Sequence, residues 1–414
     1  MSAFPESAYV LSYVAMRSSP VTRRRGVRHD RSIGPTGHGG FAMPNPNMHL
    51  LDVTMFWSTS GGVRRYIDAK HRWTQRHTGW THSVATPMWD DATTVRIPAL
   101  PLPGSGGAYR LPWRRTASAR LLREARPDLI EAGDPYRLAW AALDAADALR
   151  VPPVAFCHSN LEALAAEAAG PHFGRAAQRA VRRYAQHLYS QFELVLAPSR
   201  AMTAHLRDWG IARVVHQPLG VDTATFHPRR RNPRWRASLA LPEGARLLVY
   251  AGRFAPEKNL ELLEAALRRL GPRYWLLAVG SGAARPHGDR VITVSALSEP
   301  ALLATLLASS DLFVHAGAQE TFGLAALEAL ACGLPVVARR AEGLAELVDD
   351  SVGRAVERAS AEDFAAAIAD VLDGGTRASL GAAARRRAEA SDWERVLPGL
   401  ARRYLRVLGS DAVL

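Results

Sequence analysis

The sequence predicts an α/β protein built from two doubly wound, Rossmann-like domains that face a central cleft. Three observations lead there. With 414 residues the chain exceeds the length at which one hydrophobic core stops growing. Short apolar, β-rich runs alternate with longer amphipathic or Ala/Leu-rich stretches, the pattern of parallel strands covered by helices. That alternation stops once, in "QPLGVDTATFHPRRRNP", a loop dense in Gly, Pro and Arg, and then starts again.

Taken in order, residues 1–48 are rich in Ser, Pro, Gly, Asn and Arg without periodicity, which predicts a disordered tail, with Met43 or Met48 as an alternative start. A first domain is expected over 49–220: "LLDVTMFW" then a helix over Val63–Thr78, "PDLIEA" then Tyr136–Arg150, "VPPVAFC" then a helical stretch, and "ELVLAPS" then Arg200–Trp209. A second is expected over 221–390, where "RLLVYAG", "YWLLAVG", "DLFVHAG" and "LPVVA" each precede a helix. The remainder, 391–414, holds "WERVLPGLARRYLRVL", a helix expected to pack near the domain junction. Ligands of such folds sit at the carboxyl ends of the strands.

Composition narrows the function classes. Hydrophobic content of 48% and charged content of 22% describe an ordinary globular protein, and no apolar run approaches the ~20 residues of a membrane span. Glu6 and the broken apolar stretch Ala8–Met16 make a poor secretory signal, and the polar residues after Arg23-Arg24-Arg25 argue against twin-arginine export. Two distant cysteines, Cys157 and Cys332, lack a metal-ligand pattern, so a reducing cytoplasm is expected. The net charge is +13, and of 52 basic residues only Lys70 and Lys258 are lysines. No nucleic-acid module or aromatic stacking platform accompanies that charge, so nucleic acid is not an expected partner.

Three loops fall at predicted strand ends in the second half. "AGRFAPEKN" projects Arg253 and Lys258 together, a pair suited to clamping two phosphates. In "AVGSG", Gly280 and Gly282 allow close backbone approach, either to a ligand or in a plain tight turn. In "AQETFGLAALEALACG", Glu320 precedes a predicted helix start at Thr321–Leu324, whose free N–H groups favour an anion. Read as a helix, Gly323–Cys332 is apolar on every face except at Glu328. A buried carboxylate needs a partner. Eight residues separate it from Glu320, about 12 Å along a helix axis. Two adjacent sugar hydroxyls would satisfy it, and so would an arginine from across the core.

Together "ETFGLAALE", "GRFAPEKN", "APSRAM" and "LGVDTATFHP" resemble the retaining glycosyltransferases of family 4, which have the GT-B fold; the resemblance covers roughly residues 50–390. It implies that Glu328 holds the ribose hydroxyls of a nucleotide, that Glu320 lies by the donor sugar, and that Arg253 and Lys258 grip the diphosphate. Gly280, Thr321, Phe322, Gly323 and Leu324 would complete the donor site. Gly61 and Gly62 in "WSTSGGVRRYI" match the family's glycine loop over the donor phosphate. His158 in "VAFCHSN" matches a histidine near the donor sugar and acceptor hydroxyl, and Asp134 in "IEAGDP" is an acceptor-side candidate. No D-x-D motif is present, so neither metal nor cofactor is expected. At "RAEGLAEL", Ala341-Glu342-Gly343 stands where many members carry a glycine pair, and Glu342 could contact the nucleotide or sugar edge.

The implied reaction moves a sugar from a nucleotide-diphosphate donor of GDP-mannose or UDP-hexose type to a sugar, lipid-linked or small-molecule acceptor. A non-catalytic nucleotide-sugar-binding subunit and a GT-B-type epimerase are the alternatives. The basic stretch "GRAAQRAVRRYAQHLY" (Gly174–Tyr189) offers peripheral contact with an anionic membrane, at the inner face if the protein is cytoplasmic, or a plain solvated face.

Overall fold

A computed structural model describes residues 47–409 apart from 58–60, 89, 91–93 and 102–109; the predicted tail, but for Asn47 and Met48, lies outside the described residues. The first half forms β1 (His49–Val53), β2 (Thr81–Thr86) and β3 (Val95–Arg96), then an antiparallel hairpin of β4 (Ala99–Pro101) and β5 (Arg110–Pro112). It continues with β6 (Leu129–Ala132), β7 (Pro153–Phe156), β8 (Leu194–Ala197) and β9 (Val214–His216). The second half holds β10 (Arg246–Ala251), β11 (Tyr274–Val279), β12 (Val291–Val294), β13 (Leu312–His315), β14 (Val336–Arg339) and β15 (Gly353–Val356).

Apart from the hairpin these strands make two sheets, ordered β3-β2-β1-β6-β7-β8-β9 and β12-β11-β10-β13-β14-β15, with parallel pairing in both. Their central strands are buried on both faces because helices cover both, and are apolar there but for residues such as Asp52 of β1 and Glu131 of β6; Leu247, Val249 and Tyr250 of β10 are fully buried. In each sheet the winding reverses beside one strand: β1 lies between β2 and β6, and β10 between β11 and β13. Crevices open at the carboxyl ends of such strands. The segments leaving β1 and β10 are those that carry Gly61-Gly62 and Arg253–Lys258.

Local chemistry starts the helices that frame these crevices. Asn160 and Ser199 cap the helices Leu161–Tyr189 and Arg200–Asp208 by accepting from the N–H of Ala163 and Met202. The first of these helices is broken at Gly170 (φ +68), so the basic stretch follows a kink. Arg175, Arg179, Arg182 and Arg183 on it are all exposed.

The chain returns at its end. Val221 bridges to Asp392, and the helix Trp393–Val407 packs on the helix Gly62–His77 of the first half. Tyr404 thereby reaches a buried ionic cluster. Lys70 Nζ donates to Asp52 Oδ1 (2.7 Å), Glu131 Oε1 (2.8 Å), and the hydroxyls of Tyr66 and Tyr404 (3.2 Å each). His82 Nε2 bonds the other oxygen of Asp52 at 2.8 Å. Burial opposes ionisation of Asp52, yet Lys70 and His82 bring its pKa down to about 2; at Glu131 burial prevails and pushes the pKa up. The apolar core containing Leu50 and Tyr66 is continuous with Phe313, Leu327 and Leu397, so the halves share packing.

Candidate active site

A cleft of about 680 Å³ lies between the two sheets. Of the residues singled out from sequence, His158, Arg253, Lys258, Glu320, Gly61, Gly62, Gly280, Thr321 to Leu324 and Glu328 all line it. Asp134 does not. Its carboxylate turns inward, accepting from the N–H of Met55 (2.6 Å) and of Tyr136 (3.3 Å), and so braces the loop leaving β1.

The helix bearing Glu328 begins later than expected. It spans Leu324–Ala331, after Gly323 in a left-handed conformation (φ +93) where a Cβ would press on Leu344. Glu320 and Thr321 therefore sit on a loop, and the spacing of the two glutamates is not a distance along a helix axis. The N–H groups that begin the helix without an intrahelical acceptor are therefore those of Leu324, Ala325 and Ala326, residues that line the cleft.

Glu328 is 1% exposed, and its carboxylate is held by Arg65, at 2.6 Å to Oε2 with a second contact to Oε1. An arginine across the core was one of the two partners the sequence left open. Burial raises the Glu328 pKa, against the pull of the guanidinium. Arg65 lies one turn into the helix Gly62–His77, whose cap, Gly61 (φ 154, ψ 160), is in a region essentially reserved for glycine. Gly62 is less constrained, since a Cβ there would meet only Leu324 at 3.5 Å.

Lys258 ends a 3-10 turn, Pro256–Lys258, and donates to Glu320 Oε2 (2.7 Å) and the carbonyl of Gln319 (3.2 Å). His315, at the end of β13, lies 3.3 Å from the same Glu320 oxygen. Because its Nδ1 accepts from the Gly317 N–H (3.2 Å), Nε2 carries the proton toward Glu320. Burial would raise the Glu320 pKa, but Lys258 and His315 hold it below the ordinary value. Arg253 is half exposed and pairs with Glu257 at 2.9 Å.

Gly280 and Gly282 answer to the protein's own packing. A Cβ on Gly280 would stand 1.8 Å from the Gly252 carbonyl oxygen, and one on Gly282 2.2 Å from that of Phe254. The two loops are tied by Gly252 N–H to Val279 O (3.0 Å) and Phe254 N–H to Ser281 O (2.9 Å).

From the first sheet comes His158, its ring stacked on Phe156 (centroids 4.2 Å apart, 3° between planes). Burial drives its pKa down to about 3, so it is neutral at pH 7, and its buried Nε2 has no hydrogen-bond partner among the described residues. Its carbonyl accepts from Thr321 Oγ1 at 2.9 Å. Chemically the cleft offers three carboxylate–cation pairs, the N-terminus of the helix Leu324–Ala331 and a neutral imidazole.

Sequence reading missed Arg65, His315 and Asn160. The only signals were the "RR" after the glycine pair, the histidine ending "LFVH", and the asparagine after "CHS". Glu342, for which a contact with the nucleotide or sugar edge was left open, does not line the cleft; it holds Asn160 and the Glu320 N–H instead.

The sequence matches the family described as Glycosyltransferase Family 4 over residues 60–225 and that described as Glycosyl transferases group 1 over residues 231–387. It is 32% identical over 296 residues to a GDP-mannose-dependent alpha-mannosyltransferase of Corynebacterium glutamicum, covering 70% of each chain. Over 332 residues it is 33% identical to a GDP-mannose-dependent alpha-(1-6)-phosphatidylinositol dimannoside mannosyltransferase of Mycobacterium tuberculosis, covering 77% of this chain and 83% of that one. The fold is similar to sucrose-phosphate synthase from Thermosynechococcus elongatus (TM-score 0.71, 21% identity, 87% of this chain and 99% of that one). It also resembles Anabaena HepE, solved in complex with UDP-glucose (TM-score 0.68, 19% identity, 86% and 99%).

Proposed function

Because the chain belongs to the glycosyl transferases group 1, a family 4 glycosyltransferase enzyme of GT-B fold, we propose that it transfers a hexose, with retention, from a nucleoside-diphosphate donor. The observation that carries this reading is the convergence of Arg253, Lys258, Glu320, Glu328 and His158 on one cleft between the two sheets. GDP-mannose is the first donor to test, since the two relatives above are named for it, and UDP-glucose the second.

In this reading the ribose hydroxyls replace Arg65 on Glu328, two donors to one carboxylate. Arg253, Lys258 and the helix N-terminus at Leu324 take the diphosphate and stabilise it as it leaves. The bond from the anomeric carbon to the phosphate oxygen breaks, the acceptor oxygen bonds on the same face, and the leaving phosphate oxygen accepts the acceptor's proton. Glu320, paired to Lys258, lies by the sugar, and neutral His158 borders the acceptor hydroxyl. The acceptor is a glycan or lipid-linked hydroxyl; one relative is named for a phosphatidylinositol dimannoside. The exposed arginines of residues 174–189 would bring the protein to an anionic membrane bearing such an acceptor.

The test is a thermal-shift screen against GDP, UDP, ADP, GDP-mannose and UDP-glucose, with Glu328→Ala as control. A ligand of the native state raises the midpoint by mass action. One nucleotide should shift the wild type and not the variant, and NMR of the first product should show the donor's anomeric configuration. No shift with any nucleotide, or an inverted product, would refute the corresponding part of the reading.

A further inference from the structure

Glu342 is a glutamate in a conformation that suits glycine. Its φ is +43, in the left-handed region that side chains with a Cβ avoid. Its carboxylate spans the two halves of the molecule. One oxygen accepts from Asn160 Nδ2 of the first half at 2.6 Å, and the other from the Glu320 N–H of the second half at 2.8 Å.

Both ends of this bridge are fixed independently. Asn160 is the cap of the helix Leu161–Tyr189, its Oδ1 accepting from Ala163 N–H at 3.2 Å. Gly343 N–H returns to the Glu320 carbonyl at 2.9 Å, and a Cβ on Gly343 would stand 2.5 Å from Phe322 Cα, so the two loops lie in backbone contact. A second bond runs parallel to the bridge, from Thr321 Oγ1 to the His158 carbonyl. His158–Asn160 and Glu320–Thr321, which leave different sheets, are thus joined twice within a few residues of His158 and Glu320. Glu342 itself stays out of the cleft, whereas the residues it holds line it.

We propose that Glu342 is a positioning residue that sets the His158 loop against the Glu320 loop. The proposal rests on the reading that these loops flank the reacting sugar. Its geometry predicts a particular substitution chemistry. A glutamate has two acceptor oxygens for two donors, while Glu342→Gln replaces one of them with an NH₂ that must face either the Asn160 amide or the Glu320 N–H, donor against donor. Exchanging both residues, Glu342→Gln with Asn160→Asp, restores the pair with donor and acceptor reversed, and aspartate still caps the helix.

The experiment measures nucleotide release from GDP-mannose and UDP-glucose in water, GDP and UDP affinity, and backbone hydrogen exchange in the full chain. Glu342→Gly should slow release from bound donor about tenfold or more through lost alignment, with nucleotide affinity changed less than about twofold. Exchange should quicken in both 158–163 and 319–322. Glu342→Gln alone should be impaired and the exchanged pair should recover. Unchanged turnover, faster exchange in 319–322 only, or an exchanged pair no better than its single variants would overturn the proposal. If the wild type releases nucleotide from neither donor, the exchange data alone decide whether the bridge aligns the loops, while the transferase reading stands or falls on the nucleotide-binding screen.

Discussion

Burial of His158 has a consequence that can be titrated. Its pKa falls from the ordinary 6.5 to about 3, so between those values the unfolded chain binds a proton that the folded one refuses. Stability attributable to this residue is complete above pH 6.5 and is lost as pH drops toward 3, with a slope of up to about 1.4 kcal/mol per unit. Denaturant unfolding from pH 7 to pH 4 should show that slope reduced in His158→Gln; identical slopes would mean the ring is not buried neutral. Single residues were legible in sequence when they stood at strand ends with distinctive chemistry, as Lys258, Glu320 and His158 do. Arg65 was not, because its carboxylate lies 263 residues away. Only the folding of two sheets onto one another makes them neighbours. Asp134 stood as an acceptor-side candidate for the opposite reason: a strand-end carboxylate reads alike in sequence whether it faces a ligand or its own backbone.

The central strands were legible as elements because helices bury both their faces and leave mostly apolar runs, broken in β1 and β6 only by Asp52 and Glu131 of the ionic cluster. The edge strands were not: β3 has two residues, and β12 is only half buried on every position. The start of the helix Leu324–Ala331 was misplaced since Gly323 takes a left-handed turn that an apolar pattern does not reveal. The returning helix Trp393–Val407 was readable from its amphipathic pattern, but its anchor was not, as Tyr404 reads as one more apolar position. Tyr404 donates to Glu131 inside the ionic cluster. Tyr404→Phe should cost about 1–3 kcal/mol by leaving that carboxylate short of a donor. Lys70→Met should cost more, roughly 3–5 kcal/mol, because two buried carboxylates lose their cation. Chemical denaturation of both variants checks the order, and a Tyr404→Phe protein as stable as the wild type would show the helix to be held by packing alone.

At the scale of the whole molecule, a net charge of +13 is distributed almost wholly on arginine, and the exposed face of residues 174–189 concentrates four of them beside Phe173, which is 72% exposed. Each basic residue near an anionic surface contributes about 1 kcal/mol, screened by salt. The protein should sediment with phosphatidylglycerol vesicles at low salt and not with phosphatidylcholine. Binding should weaken in Arg179→Ser/Arg183→Ser and vanish near 1 M salt, where the screening length is ~3 Å. Indifference to lipid charge at low salt would leave this face as solvated surface. No helix among the described residues is long and apolar enough to cross a membrane. The same arginine bias has a practical outcome at the two lysines. Lys70 is sealed in the ionic cluster at 2% exposure, while Lys258 stands at 12% in the cleft wall. Among side chains, an amine-directed acylating reagent therefore meets a single reachable target, and the extent of that one modification records whether the cleft is filled.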